Sequence, residues 1–141
     1  MENTITMRIT PENIIRLKPG EIFVYGSNLA GIPGKGAALF AAKVCGATYG
    51  RCHGLDNQCY GIPTKDERIK VLPLKQIQRY INNFITDAQS MPEITFLVTA
   101  IGTGLAGYKP EDIAPMFIDA YDLQNVHLPQ EFWDVLNNMI K

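Results

Sequence analysis

Two glycine-rich stretches hold the residues best placed to do chemistry: Ser27–Gly36, reading SNLAGIPGKG, and Gly102–Lys109, reading GTGLAGYK. Glycine lacks a Cβ, so its backbone reaches φ > 0 and approaches a ligand closely. Successive backbone N–H groups in such a loop converge on an anion, each charge-assisted bond contributing roughly 1.5–3 kcal/mol. Two facing loops suit a diphosphate better than a single phosphate. Lys35 stands at the tip of the first loop, just before a helix begins. A cation is unfavourable at the positive end of a helix dipole unless an anion is bound there. Asp66 follows a short strand and is a candidate base or ribose contact, with a turn-forming role as the plainer alternative. Asn28 is a candidate ligand contact or a cap on its own loop, and Tyr108 a ring packed on the ligand or a core aromatic. Glu111 and Asp112 follow Pro110 in a first helical turn, where acids favour the dipole without any catalytic role. His53 and His127 have no Ser or Cys partner in the sequence.

Neither loop matches a standard nucleotide fingerprint. Gly102–Gly107 has the spacing G-x-G-x-x-G, but that motif belongs to the first unit of a dinucleotide fold, with an acidic residue about 20 positions on. The sequence given leaves too few residues beyond Gly107 for such a fold. Gly31 and Gly36 have the spacing of a phosphate-binding P-loop, but Ala37 and Ala38 stand where Lys and Ser/Thr are required.

Composition narrows the class. Among 141 residues, 46% are hydrophobic, enough for a packed core without disulfide staples. A net charge of −1, with the basic residues scattered, gives no field for nonspecific nucleic-acid binding. Cys45, Cys52 and Cys59 recur every seven residues across intervening glycines, so no single helix presents them. They read as small semi-buried thiols rather than a zinc site, and neither a metal nor a cofactor is expected. The N-terminus has no apolar signal region, and no apolar run approaches the ~20 residues that span a bilayer. A cytoplasmic protein without membrane partners is the expectation; its oligomeric state is left open.

The elements that must position the loops alternate along residues 1–141, read as one domain. A short strand is expected over residues 4–9 and a helix from Thr10 to about Leu17, opened by Pro11 and Glu12. Pro19-Gly20 predicts a turn, and EIFVYG (Glu21–Gly26) a buried strand feeding the first loop. AALFAAKVC (Ala37–Cys45) predicts a helix closed by Gly46, and residues 47–59 a glycine-rich loop. Cys59–Pro63 is a candidate strand. Leu74, Ile77, Ile81, Phe84, Ile85 and Ala88 share one face of the clearest helix, which ends at Ser90-Met91-Pro92. ITFLVTAI (Ile94–Ile101) is the best candidate for a strand covered on both faces and delivers the chain into the second loop. A helix from Pro110 to about Tyr121, a strand near Val126–Leu128 and a helix from Pro129 follow, with Trp133 on its inner side. This alternation predicts an α/β fold with helices on both faces of the sheet.

VYGSN (Val24–Asn28) with its glycine loop, GLDNQCYGIPTKD (Gly54–Asp66) and, most specifically, FLVTAIGTGLAGYKPEDIAPMF (Phe96–Phe117) resemble the macro domain superfamily in matching order. Within it the chain looks like a compact branch often associated with phages and prophages. The resemblance implies a three-layer α/β/α fold with a mixed, mainly parallel sheet, and a cleft for ADP-ribose or a related nucleotide. It maps Asn28 to a ribose contact, and Gly31, Gly34 and Gly36 to the first loop. Gly102, Thr103, Gly104, Ala106 and Gly107 map to the diphosphate-clamping loop, and Tyr108 to an aromatic beside the ribose. One branch of the family uses a lysine as nucleophile at ribose C1″; Lys35 is the candidate here, with Asp66 as a second catalytic candidate. The chain departs from the pattern in two places: Met7–Thr10 offers no acid for adenine, and the first loop reads GIPGKG rather than a triple glycine. The functional expectation is nucleotide binding, with hydrolysis of an ADP-ribosyl or phosphoester bond as its catalytic form. A non-catalytic nucleotide-signal module and a phage accessory protein stay open beside it.

Overall fold

The computed structural model describes residues 8–32, 36–51 and 53–140. Its centre is β1 (Glu21–Asn28), a strand of a five-stranded sheet with β2 (Gly54–Asp56), β3 (Cys59–Lys65), β4 (Thr95–Val98) and β5 (Val126–His127). The order across the sheet is β2-β3-β1-β4-β5. β1 runs parallel to β3 on one side and to β4 on the other, and β4 parallel to β5; only the β2–β3 hairpin is antiparallel.

Strand alternation builds two cores. Ile22 and Val24 of β1, Tyr60 and Ile62 of β3, Phe96 and Val98 of β4, and Val126 of β5 enter the large core on one face. Phe23, Tyr25 and Cys59 enter a smaller core on the other. The large face is covered by α2 (Leu74–Ser90), by α3 (Pro110–Ile113) with its 3-10 continuation Ala114–Ala120, and by α4 (Gln130–Met139). The small face is covered by α1 (Gly36–Phe40), which continues as a π-helical turn through Ala41–Cys45 and closes on Gly46 at φ +83°. The result is an α/β fold with a mixed, mostly parallel sheet between helical layers. Phe84 of α2 joins the layers, making edge contacts to Tyr60 at 5.1 Å and Phe96 at 5.4 Å. The Tyr60 hydroxyl donates to the Asp87 carboxylate, and burial with that partner raises its pKa.

Two local expectations fail. Residues 11–17 carry no helix. The segment is far shorter than the ~12–15 residues at which a helix holds itself, and β-branched Ile14 and Ile15 weaken it further. Tertiary contacts decide instead: Ile14 and Leu17 pack onto the small core while Ile15 stays 81% exposed. The stretch over residues 47–59 contains β2, whose turn is made by Asn57 at φ +55°, a conformation that Asn tolerates better than most residues. Of the strand expected over 4–9, residues up to 7 lie outside the described ones. Ile9 does bridge Leu128 in parallel, extending the edge beside β5.

Arg8 ties this edge to the helices. It is 4% exposed, and its guanidinium donates to the carbonyls of Val126 (3.0 Å), Tyr121 (2.9 Å) and Ala120 (3.1 Å). Its charge lies 4.9 Å from the Trp133 ring centroid, and the Trp133 indole donates to the Arg8 carbonyl at 2.8 Å. Burial pulls the guanidinium pKa down, opposed by the Asp122 charge. Removing the fork leaves three carbonyls short of a donor, each buried loss costing about 1–3 kcal/mol. Arg8→Ala is therefore expected to lose about 3 kcal/mol in urea unfolding, with Arg8→Lys recovering less than half because an ammonium cannot span the three acceptors. A loss below about 0.5 kcal/mol would contradict this role.

Candidate functional site

The helix after β1 lies on the small-core face, whereas those after β3 and β4 lie on the large-core face. Adjacent parallel strands whose connections leave to opposite faces open a crevice beyond their carboxyl ends, where ligands bind in α/β sheets. A cleft of about 680 Å³ occupies that position, within the range of small-molecule sites. Its walls come from the end of β1 (Gly26, Ser27, Asn28), Ile32 and the start of α1, the end of β3 (Thr64, Lys65) with Ile69, and residues 99–102 and 104–106 after β4. The two glycine loops do face one cleft.

Within the first loop, Asn28 works as a brace. Its Nδ2 donates to the Ile32 carbonyl at 2.9 Å, and its Oδ1 accepts from the Ile32 N–H at 3.1 Å. Gly31, at φ +69°, lies against the loop that follows α1: a Cβ there would stand 2.4 Å from the Gly50 carbonyl carbon, and the Gly50 N–H donates to the Gly31 carbonyl at 2.9 Å. Gly36 lines the cleft at the first turn of α1. Gly34 and Lys35 lie outside the described residues.

The second loop is built differently. Gly102, at φ +76°, packs so closely under α3 that a Cβ would come within 3.1 Å of Ile113 Cδ1. Thr103 donates its hydroxyl to the Ala100 carbonyl at 2.7 Å, and the Gly107 N–H donates to the Gly104 carbonyl at 3.0 Å. Tyr108 packs against the large core and donates its hydroxyl to the Leu72 carbonyl at 2.7 Å, latching the loop to the segment before α2. Between these anchors, the N–H groups of Gly104, Leu105 and Ala106 donate to no acceptor among the described residues. All three residues line the cleft.

The third wall is a turn built by Asp66, the plainer of the two roles that the sequence offered it. Asp66 Oδ1 accepts from the N–H groups of Arg68 (2.8 Å) and Lys70 (2.9 Å), and the Asp66 N–H donates to the Lys70 carbonyl at 2.7 Å. These bonds hold Ile69 at φ +63°. A β-branched residue rarely adopts that conformation, which costs roughly 1–2 kcal/mol. Asp66 marks the turn in DERIK (Asp66–Lys70), but nothing in the segment announces that the left-handed position falls on Ile69. Asp66 thus shapes the wall while its neighbours Lys65 and Ile69 line the cleft. The Lys70 and Arg68 N–H groups hold its carboxyl below the usual range.

Lys65 is the one charged side chain among the described residues of the lining. A second cleft, about 900 Å³, lies between residues 9–15, Phe40 and Pro129–Glu131, and shares Gly36, Ala37, Thr99 and Ala100 with the first. It lacks residues 104–106 of the second glycine loop. Cys45 and Cys59 sit in the small core, their thiols pushed up by burial to about 11 and about 12. Cys52 lies outside the described residues. Among those described, no group of His, Cys, Asp or Glu is placed to hold a metal, and no helix is long and apolar enough to cross a membrane. Comparison with models of protein families, with curated proteins and with solved structures finds no match.

The two loops separate by glycine substitution. Gly31→Ala combines a backbone clash with a left-handed φ and is expected to lose about 2–3 kcal/mol in urea unfolding. Gly104→Ala meets open space and should stay within about 0.5 kcal/mol of the parent. Equal losses would contradict the packing described. Because its folded pKa is depressed, Asp66 contributes stability fully above the ordinary Asp value of about 3.9, and that contribution is lost as pH falls through the lower folded value. Urea midpoints between pH 5 and pH 2 should therefore fall more steeply in the parent than in Asp66→Asn; parallel curves would contradict it.

Proposed function

We propose that this chain binds a phosphate-bearing nucleotide, ADP-ribose or a relative, in the cleft between its two glycine loops. The observation that carries the reading is the row of uncommitted amides at Gly104, Leu105 and Ala106, set in a cleft at the carboxyl ends of parallel strands. Backbone N–H groups of this kind cradle phosphate oxygens, and Lys65 adds the positive charge that a diphosphate needs. The similarity of GTGLAGYKP (Gly102–Pro110) to the macro domain's diphosphate loop supports the same assignment.

Binding without chemistry is the favoured form. Among the described residues of the lining there is no carboxylate, imidazole or thiol. Asn28 and Asp66, two of the side chains that the resemblance and the sequence offered for ribose contact or catalysis, are engaged in bracing their own loops, while the third, Lys35, lies outside the described residues.

The test is a thermal-shift series with ADP-ribose, NAD and ATP, followed by calorimetry. A ligand at about 100 times its Kd adds about 2.7 kcal/mol, which raises Tm by several degrees in a domain of this size. The expected result is a shift with ADP-ribose that shrinks in Lys65→Ala. No shift with any of the three removes the nucleotide from the function.

A further inference from the structure

Three large aliphatic side chains line the cleft and nonetheless remain in contact with solvent: Ile32 at 41% exposure, Ile69 at 44% and Leu105 at 69%. Each comes from a different wall, after β1, after β3 and after β4 respectively. Exposed aliphatic residues scattered singly are ordinary, but three around one concave site are a binding feature. Ile69 adds a second, independent observation. It is held in a left-handed conformation that glycine or asparagine would adopt without strain. Its turn is closed by Asp66 through four hydrogen bonds, which is what such strain requires in order to persist. The aliphatic side chain is thus placed on the cleft at a cost in backbone energy.

We infer that Ile32, Ile69 and Leu105 form an aliphatic clamp for the heteroaromatic ring of a nucleoside diphosphate, and that the clamp accepts purines and pyrimidines alike. The inference rests on the nucleotide reading above and deepens it. A flat ring is the apolar part of a ligand whose charged part suits the amides of residues 104–106 and the Lys65 ammonium. Aliphatic side chains contact the faces of any base through burial of apolar area and dispersion, neither of which distinguishes one base from another. Discrimination by side chains needs polar groups that pair with base edges, since a site built for such hydrogen bonds rejects ligands lacking them. Three of the polar side chains in the described lining are already committed. The Asn28 amide is bonded to Ile32 through both its oxygen and its nitrogen, the Thr99 hydroxyl donates to Val24, and the Thr64 hydroxyl donates to Ser27.

The experiment is calorimetry of the full chain with ADP, GDP, UDP and inorganic pyrophosphate, repeated on Ile32→Ala and Ile69→Gly. The three nucleotides are expected to bind within about threefold of one another, and at least tenfold more tightly than pyrophosphate, the tenfold step corresponding to about 1.4 kcal/mol. Both variants should bring the nucleotides down toward the pyrophosphate value and leave pyrophosphate itself unchanged. Ile69→Gly should leave Tm close to that of the parent, relief of the left-handed strain offsetting the greater freedom of the unfolded chain, which would show that its lost affinity is not lost folding. Pyrophosphate binding as tightly as the nucleotides would overturn the clamp while leaving the phosphate reading intact. So would a base contribution that survives both variants, or a preference above tenfold for one base. Failure of all four ligands to bind would overturn both readings.

Discussion

Glu21–Asn28 must hydrogen-bond to a parallel neighbour on each side, and the remaining architecture follows from that requirement. Parallel pairing forbids tight hairpins and demands crossover segments. With β3 on one side and β4 on the other, those crossovers cannot all lie on one face. The chain leaves β1 for the small-core side and leaves β4 for the large-core side, so the two loops diverge. The gap between them is the cleft. The same pairing buries both faces of β1, which is why its apolar run continues without polar interruption from Ile22 to Tyr25.

The side chains around that gap divide into builders and contacts. Asn28, Asp66, Thr103 and Tyr108 look like binding or catalytic residues by type, yet each satisfies backbone groups of its own or a neighbouring segment. Their work is to hold loop backbone in shapes that helices and strands do not supply. The groups left over are of another kind: amides at residues 104–106, the Lys65 ammonium, and the aliphatic chains at 32, 69 and 105. Backbone donors and exposed aliphatic side chains around one cleft suit a ligand with a charged half and a flat, apolar half. That complementarity carries the nucleotide proposal further than any single residue does.

Long-range packing separates what was legible in the sequence from what was not. The face of Ile77, Ile81, Phe84, Ile85 and Ala88 repeats along a helix of 17 residues, and it appears as read. The apolar runs at 21–26 and 94–101 declared buried strands because burial on both faces leaves no alternation, although the second is paired only over Thr95–Val98. The segment after Thr10 carried helix-start residues but too little length, so contacts of Ile14 and Leu17 with the small core decided its path. Both glycine loops were visible as composition. That Gly31 is required by the approach of Gly50 was not, because nothing local relates two residues so far apart in sequence. A turn at Asp66 was legible by residue type, but the left-handed conformation of Ile69 was not, since a β-branched residue is among those least expected at a positive φ.

The most direct test of the account is a backbone amide NMR titration of the 15N-labelled chain with ADP-ribose. The nucleotide reading predicts saturable shifts at Gly104, Leu105 and Ala106, accompanied by shifts at Lys65 and Ile69, while the amides of Ile14 and Ile15 in the second cleft stay in place. Shifts confined to residues 9–15 and 129–131, or none at all, would contradict it.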